Sequence, residues 1–305
     1  MAPAQGRRMT PAVAVGVNDK RQIYETMADH DLLLRWPAWI NFFVESCKWN
    51  PDVRWRIYTD CGEPDNHALN IDYVPISFEN YKLLARQRLG ISFDPDHPYK
   101  LCDLRPCLGF LHEQETAGYP FFGYGDIDCI FGNISRFYGA EQLADFDVVS
   151  THPERLSGHF AVLRNTHALR HAFERVPDYR ALLEAPRQTG WEESQFSQVL
   201  LRSTTERLLF VERHSTVLST RGWHDGTMNY PSRWFWKQGR LTNERDGQRE
   251  FLYLHFMRWQ SAHWINNPPM PGEAAWVGRD IIHTDWRCAG EEGFCISPEG
   301  FSPTK

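Results

Sequence analysis

Asp126-Ile127-Asp128 is the group in this 305-residue chain whose types and spacing point most directly to chemistry. It follows the apolar run Tyr119-Pro-Phe-Phe-Gly-Tyr-Gly125 and precedes Cys129-Ile-Phe131. That setting predicts a buried strand that ends in two carboxylates. In a strand, residues i and i+2 point to the same face. Two carboxylates so placed repel each other unless a cation sits between them. Mn²⁺ or Mg²⁺ suits the position, because hard divalent ions prefer oxygen ligands and keep open positions for phosphate oxygens. The tripeptide alone is a weak signal; its place at the mouth of an apolar strand gives it weight.

Such an ion needs further ligands. His255 follows the apolar run Phe251-Leu-Tyr-Leu254. A histidine in a strand is ordinarily structural, but imidazole is also a common ligand for Mn-type ions. Lys100 lies in the first turn of a helix opened by Pro98. It reads either as a solvated lysine or as a charge partner for a phosphate near a helix N-terminus. Asp103, one turn on, is placed to accept from a sugar or ribose hydroxyl. Arg105 reads as a local ion-pair partner. Glu192 and Glu193 open a helix, where acidic residues are expected on dipole grounds. A carboxylate there also suits a general base or a group that orients a hydroxyl. Gly158, in Ser157-Gly158-His159, marks a tight turn or a close backbone approach to a ligand.

The elements around these residues alternate, which predicts an α/β fold with a mostly parallel central sheet flanked by helices. Trp36, Ile40, Phe43, Val44 and Cys47 share one helical face behind Pro37. Strands are expected at Val53–Tyr58 and Ile71–Ile76, and a helix at Phe78–Leu89. Leu101, Leu104, Leu108 and Leu111 form one apolar stripe. Short strands follow at Asp147–Ser150 and Phe160–Leu163, helices at Thr166–Val176 and Glu192–Leu201, and late strands at Leu208–Val211 and Phe251–Leu254. From Asn266 onward Pro, Gly and charged residues dominate, so residues 266–305 read as an irregular tail.

Composition narrows the function. A formal charge of −6 argues against a nucleic-acid or anionic-membrane surface. No run is long enough for a transmembrane helix. The N-terminus has no apolar core of a secretory signal. Seven cysteines without a CxxC pair read as reduced thiols. Together these predict a cytoplasmic protein and leave peripheral membrane association open. GxSxG, Walker A and HExxH motifs are absent, and Gly123-Tyr-Gly125 is not a dinucleotide fingerprint.

Several segments together carry a resemblance. They are Lys100-Leu-Cys-Asp103, Gly123-Tyr-Gly-Asp-Ile-Asp128 with Ile130-Phe-Gly132, Ser150-Thr-His-Pro-Glu-Arg-Leu-Ser-Gly158 with Phe160, and Leu254-His-Phe256. In this order and spacing the chain resembles a bacterial glycosyltransferase family of GT-A-like fold, associated with capsular and cell-surface polysaccharide synthesis. The resemblance spans roughly residues 36–260. It implies a GT-A-like nucleotide-diphospho-sugar transferase fold and a transferase domain over residues 36–265. It also implies Mn²⁺ or Mg²⁺, a nucleotide-sugar donor and a saccharide or other cell-surface acceptor. By the same resemblance Asp126, Asp128 and His255 hold the metal, and Lys100, Asp103, Asp126 and Gly158 contact the donor. Glu193 and Asp128 act at the reaction centre.

The family opens with an apolar strand immediately before the Trp-Pro helix, whereas this chain reads Met27-Ala-Asp-His-Asp-Leu-Leu-Leu-Arg35 there. Residues 1–35 are therefore expected to be an atypical segment, poorly ordered or poorly packed. Pro11-Ala-Val-Ala-Val-Gly16 is the other candidate for that strand, about twenty residues early, with an insertion behind it. Two rivals stand beside the transferase. One is a D-x-D phosphohydrolase with Asp126 as nucleophile, for which Ile130 is a near miss of the usual Thr or Val. The other is a non-catalytic sugar- or partner-binding protein with an altered donor site.

Overall fold

The structure is a computed structural model that describes residues 12–17, 36–95, 97–215, 223–227, 229–256 and 280–304. In chain order the strands are β1 (Ala12–Val17), β2 (Arg54–Thr59), β3 (Ile71–Pro75), β4 (Phe121–Gly125), β5 (Cys129–Phe131), β6 (Val148–Ser150) and β7 (Phe160–Arg164). They continue with β8 (Leu208–Phe210), β9 (Trp234–Lys237), β10 (Arg240–Asn243), β11 (Tyr253–His255), β12 (Phe294–Ser297) and β13 (Gly300–Ser302). The main sheet runs β3-β2-β1-β4-β7-β6-β8. Only β7 opposes the rest, since β4 and β6 both pair with it antiparallel. The fold is thus α/β with a mostly parallel central sheet, as the alternation of elements predicts.

The strand order places β1 at the turning point of this sheet. Ala12–Val17 is therefore the opening strand: β1 pairs parallel with β2 on one side and with β4 on the other. Over residues 12–17 the backbone of the segment expected to be atypical is thus paired into the main sheet. Its remaining parts, residues 1–11 and 18–35, lie outside the described residues.

Helix α1 (Ile40–Lys48) buries Ile40, Phe43, Val44 and Cys47 against one face of the sheet. Helix α2 (Phe78–Leu89) covers the other face with Tyr81, Ala85 and Leu89. The ends of α2 are written in the sequence: the Ser77 side chain accepts from the Asn80 N–H, and Arg86 and Arg88 occupy the last turn. The Pro98 segment forms a 3₁₀ helix over Pro98–Cys107, followed by an α-turn at Leu108–Leu111. Pro106 sits inside it and has no N–H to offer an α-helical ladder. The leucine stripe still reaches the core, with Leu101, Leu104, Leu108 and Leu111 all buried.

The C-terminal expectation is overturned across 280–304, while 266–279 lie outside the described residues. There β12 and β13 form a hairpin, and β12 pairs with β9 in a four-stranded antiparallel sheet ordered β10-β9-β12-β13. Phe294, Ile296 and Phe301 are fully buried, and their cluster includes Trp39 and Phe42 from the α1 region. The Phe42 and Phe301 rings stack with centroids 4.5 Å apart. The segment misleads because proline, glycine and charge surround a short apolar alternation that pairs across a long sequence distance. A second hairpin, β9–β10, was also not legible as such. It turns at Gln238 and Gly239, both with positive φ (50° and 74°), the conformation of a tight two-residue hairpin.

On the α2 side, Tyr58 and Tyr81 hydroxyls each lie 2.9 Å from a ring nitrogen of His112. His112 is fully buried, and burial pushes its pKa down to about 4. Its folded pKa lies below the unfolded value of about 6.5, so the unfolded chain binds the extra proton. Stability from this group is complete above about pH 6.5 and is lost as pH falls toward 4, by roughly 3 kcal/mol. The stability gap between the natural protein and His112→Gln is expected to narrow by that amount between pH 7 and pH 4. Urea unfolding at the two pH values measures it, and a constant gap would count against a neutral buried His112.

Candidate functional site

Strand β4 ends at Gly125, and Asp126-Ile127-Asp128 is a turn that leads into β5 rather than a continuation of the strand. The same-face expectation for the two carboxylates is corrected accordingly. The Asp126 N–H donates to His159 O (2.9 Å), and the Cys129 N–H donates to Asp126 O (3.2 Å). From below, the Trp39 indole N–H donates to Ile127 O at 3.2 Å. After the turn, β5 pairs antiparallel with β11 and sets His255 opposite Cys129. That pairing carries His255 to the D-x-D turn across more than a hundred residues.

The result is a tight cluster. His255 Nε2 lies 3.0 Å from Asp128 Oδ2, with both side chains buried. The His255 and His159 rings stack with centroids 3.7 Å apart. His159 Nδ1 lies 3.6 Å from Asp126 Oδ2. One ligand atom each from Asp126, His159 and His255 falls within 4.8 Å of the others. Burial pushes the His159 imidazole down to about 3, and His255 adds to this while Asp126 opposes it. A neutral imidazole is the form that binds metal. Two ring nitrogens with a carboxylate oxygen, and Asp128 against His255, suit a Mn²⁺-class ion.

Two arginines and two glutamates flank the cluster. The Arg105 guanidinium bridges Asp126 (2.5 Å) and Glu192 (3.3 Å), not Asp103. Burial pushes the Glu192 carboxyl up to about 7, against the pull of Arg105. Glu193 accepts from the Gly158 N–H at 3.0 Å and pairs with Arg155. A Cβ on Gly158 would meet Glu193 Oε1 at 2.7 Å and Arg105 Nη1 at 3.2 Å, so a side chain there would have to displace the ends of both. The loop that brings these groups together is held at several points. Tyr253 OH contacts Thr151 Oγ1 (2.6 Å) and Ser157 Oγ (3.1 Å), and Tyr124 OH donates to Ser157 O (3.0 Å).

Lys100 and Asp103 lie elsewhere. Both side chains are 0% exposed, with Lys100 Nζ 2.7 Å from Asp103 and 2.6 Å from Leu182 O. Asp103 also accepts from Thr189 N–H, Thr189 Oγ1 and Gly190 N–H at 2.9–3.1 Å. The donor-contact expectation for this pair is corrected: the two residues anchor the loop ahead of Glu192 and Glu193 from behind. Sequence reasoning named Asp126, Asp128, His255, Gly158 and Glu193, and the structure gathers them in one region. It passed over His159 and His152 as site residues, weighed Glu192 only beside Glu193 as a helix-opening carboxylate, and left Arg105 as a local partner. The available signal was the pair of histidines at 152 and 159, seven residues apart on one loop between two strands.

Among the described residues no helix is long and apolar enough to cross a membrane. No curated protein matches the chain. The galactosyltransferase LgtC, solved with donor and acceptor sugar analogues, aligns over 67% of this chain and 74% of its own, with 10% identity and a TM-score of 0.38. The glycosyltransferase GlyE of Streptococcus pneumoniae aligns over 68% of this chain and 46% of its own, with 9% identity and a TM-score of 0.34. Mouse xyloside xylosyltransferase 1 aligns over 86% of this chain and 99% of its own, with 7% identity and a TM-score of 0.41. At these identities and TM-scores the likenesses carry nothing about substrate or mechanism. The match of a family model to residues 35–279 is of another kind, and by it the chain belongs to DUF6625, a family of unknown function.

Proposed function

We propose that the chain is a metal-dependent glycosyltransferase that takes its sugar from a nucleotide-diphosphate donor. The observation that supports it most is the position of the Asp126–His159–His255 cluster. The strand order β3-β2-β1-β4 reverses at β1/β4, and Asp126 follows the C-terminal end of β4. Open α/β sheets bind ligands in the crevice at that switch point, beyond the carboxyl ends of the strands. A cluster of carboxylates and imidazoles at that position suits a divalent cation.

Asp126, His159 and His255 would hold the ion, with Asp128 as a further ligand or as the carboxylate that fixes the His255 ring. When bound, a divalent ion supplies charge that neutralises a departing diphosphate. The residues around it then divide the work. Arg105 offers a permanent cation for phosphate oxygens, and Glu192 retains it when Asp126 turns to the ion. Glu193 is partly exposed and is oriented by Gly158 and Arg155, so it can accept from a sugar or acceptor hydroxyl. Gly158 lets the donor sugar approach the backbone. Lys100 and Asp103 position the loop that carries both glutamates. A saccharide or other cell-surface acceptor completes the reading.

A thermal-shift screen of nucleotide sugars with and without Mn²⁺ tests it. A donor at about 100 times its Kd stabilises the folded chain by roughly 2.7 kcal/mol. The expected result is a rise of several degrees that needs both the sugar nucleotide and the cation. A shift indifferent to the cation, or none with any donor, would sink the proposal. Phosphate release from a generic phosphoester would favour the phosphohydrolase instead, and sugar binding without turnover the binding protein.

A further inference from the structure

We propose that His152, His159 and Glu193 form a second divalent-cation position, beside the one at Asp126, His159 and His255. Three observations converge on it. First, one ligand atom from each of the three residues lies within 4.8 Å of the others. Second, the His152 side chain is only 3% exposed, and neither of its ring nitrogens has a hydrogen-bond partner among the described residues. Its Nδ1 comes no nearer than 3.9 Å to the Glu212 carboxylate. A bound cation would take the lone pair of one ring nitrogen and so recover part of the cost of burying the ring without partners.

Third, the loop that presents His152 is fixed. The Leu156 N–H donates to Ser197 Oγ (2.8 Å), and the Ser157 N–H donates to Ser150 Oγ (2.7 Å). With the Tyr253 hydroxyl on Thr151, these bonds bracket the histidine on both sides. Its orientation toward His159, at a ring-centroid distance of 5.9 Å, is therefore built rather than slack.

Two imidazoles and a glutamate, with coordination positions left open, are a donor set for Zn²⁺ or Co²⁺ rather than for Mg²⁺. Arg155 is the competing cation, since it pairs with Glu193. A carboxylate has about four lone-pair sites, so the Gly158 N–H and Arg155 do not exhaust it. The Arg155 side chain is 26% exposed and has room to leave. Because His159 serves both positions, the two compete for it or are bridged by its ring. The inference is independent of the transferase reading, because it concerns the metal alone.

The test is a Co²⁺ titration of the full chain followed by its visible absorption band, with Zn²⁺ displacement as the check. The combined variant Asp126→Asn/His255→Gln removes the first position and leaves the second intact. It is expected to bind one equivalent of Co²⁺. Adding His152→Ala should weaken that binding at least tenfold, and adding Arg155→Met instead should tighten it. A folded Asp126→Asn/His255→Gln variant that binds no Co²⁺ overturns the proposal. So does binding that His152→Ala leaves unchanged, in which case a buried water serves His152. Should the combined variant not fold, His152→Ala alone is read by Zn²⁺ calorimetry. Loss of one Zn²⁺-binding class supports the position, and an unchanged isotherm overturns it.

Discussion

Asp126→Asn is expected to lower the Mn²⁺-dependent affinity for a nucleotide sugar by about 100-fold or more, with little loss of stability. The magnitude follows from ligand chemistry. Even partners one shell removed from a metal are worth roughly 10–100-fold in affinity or activity. Asp126 is the carboxylate of the three-residue cluster, and its replacement leaves two imidazoles and no carboxylate of that cluster to face the ion. Stability should hold for a local reason. The amide keeps an oxygen for Arg105, and Arg105 keeps Glu192 at 3.3 Å, so no charge is stranded. Calorimetry with donor, with and without Mn²⁺, reads the first quantity, and urea unfolding reads the second. An Asp126→Asn chain that binds donor with the natural affinity and cation dependence would remove Asp126 from the site.

Phe301→Ala carries the largest expected effect on stability, a loss of about 3–5 kcal/mol, the usual range for truncating a buried phenylalanine. Phe301 is fully buried in β13, stacked on Phe42 and packed edge-on against Phe256, with ring centroids 5.6 Å apart. Phe256 is the residue after His255, and its N–H donates to Asp128 O at 3.1 Å. The C-terminal hairpin therefore supports the backbone of the candidate metal site as well as the α1 side of the core. The prediction has two readouts: a lower urea midpoint, and weaker cation affinity under conditions where the variant is folded. A change within about 0.5 kcal/mol, the size of an ordinary surface substitution, would make the hairpin peripheral.

What the sequence determined by itself was local in character. Helix α2 was legible from end to end, because its cap, its dipole-matched termini and its apolar spacing all lie within its own residues. Strands β2, β3, β6 and β7 were legible from short apolar runs, and Asp126 was legible as a carboxylate placed where a strand ends. The α/β class followed from their order. Some local signals were outvoted. The hairpin β12–β13 was hidden by the prolines and glycines that precede it, and the Pro98 segment is a 3₁₀ helix with a second proline, Pro106, near its end.

The tertiary structure alone decided which of these residues meet. Antiparallel pairing of β5 with β11 sets His255 against Asp128, and no periodicity within either segment encodes that register. The loop between β6 and β7 folds back so that His152 and His159 face Glu193 and Asp126, although each reads in sequence as an ordinary loop histidine. Lys100 and Asp103 show the reverse case. Their types and helical position suit a phosphate and a sugar, but burial at 0% exposure commits them to each other and to the backbone at residues 182–190. Charge and residue type can be read from one position, while solvent exposure and distance depend on every element packed around it. A candidate site is therefore legible in its chemistry before folding is known, and in its membership only afterwards.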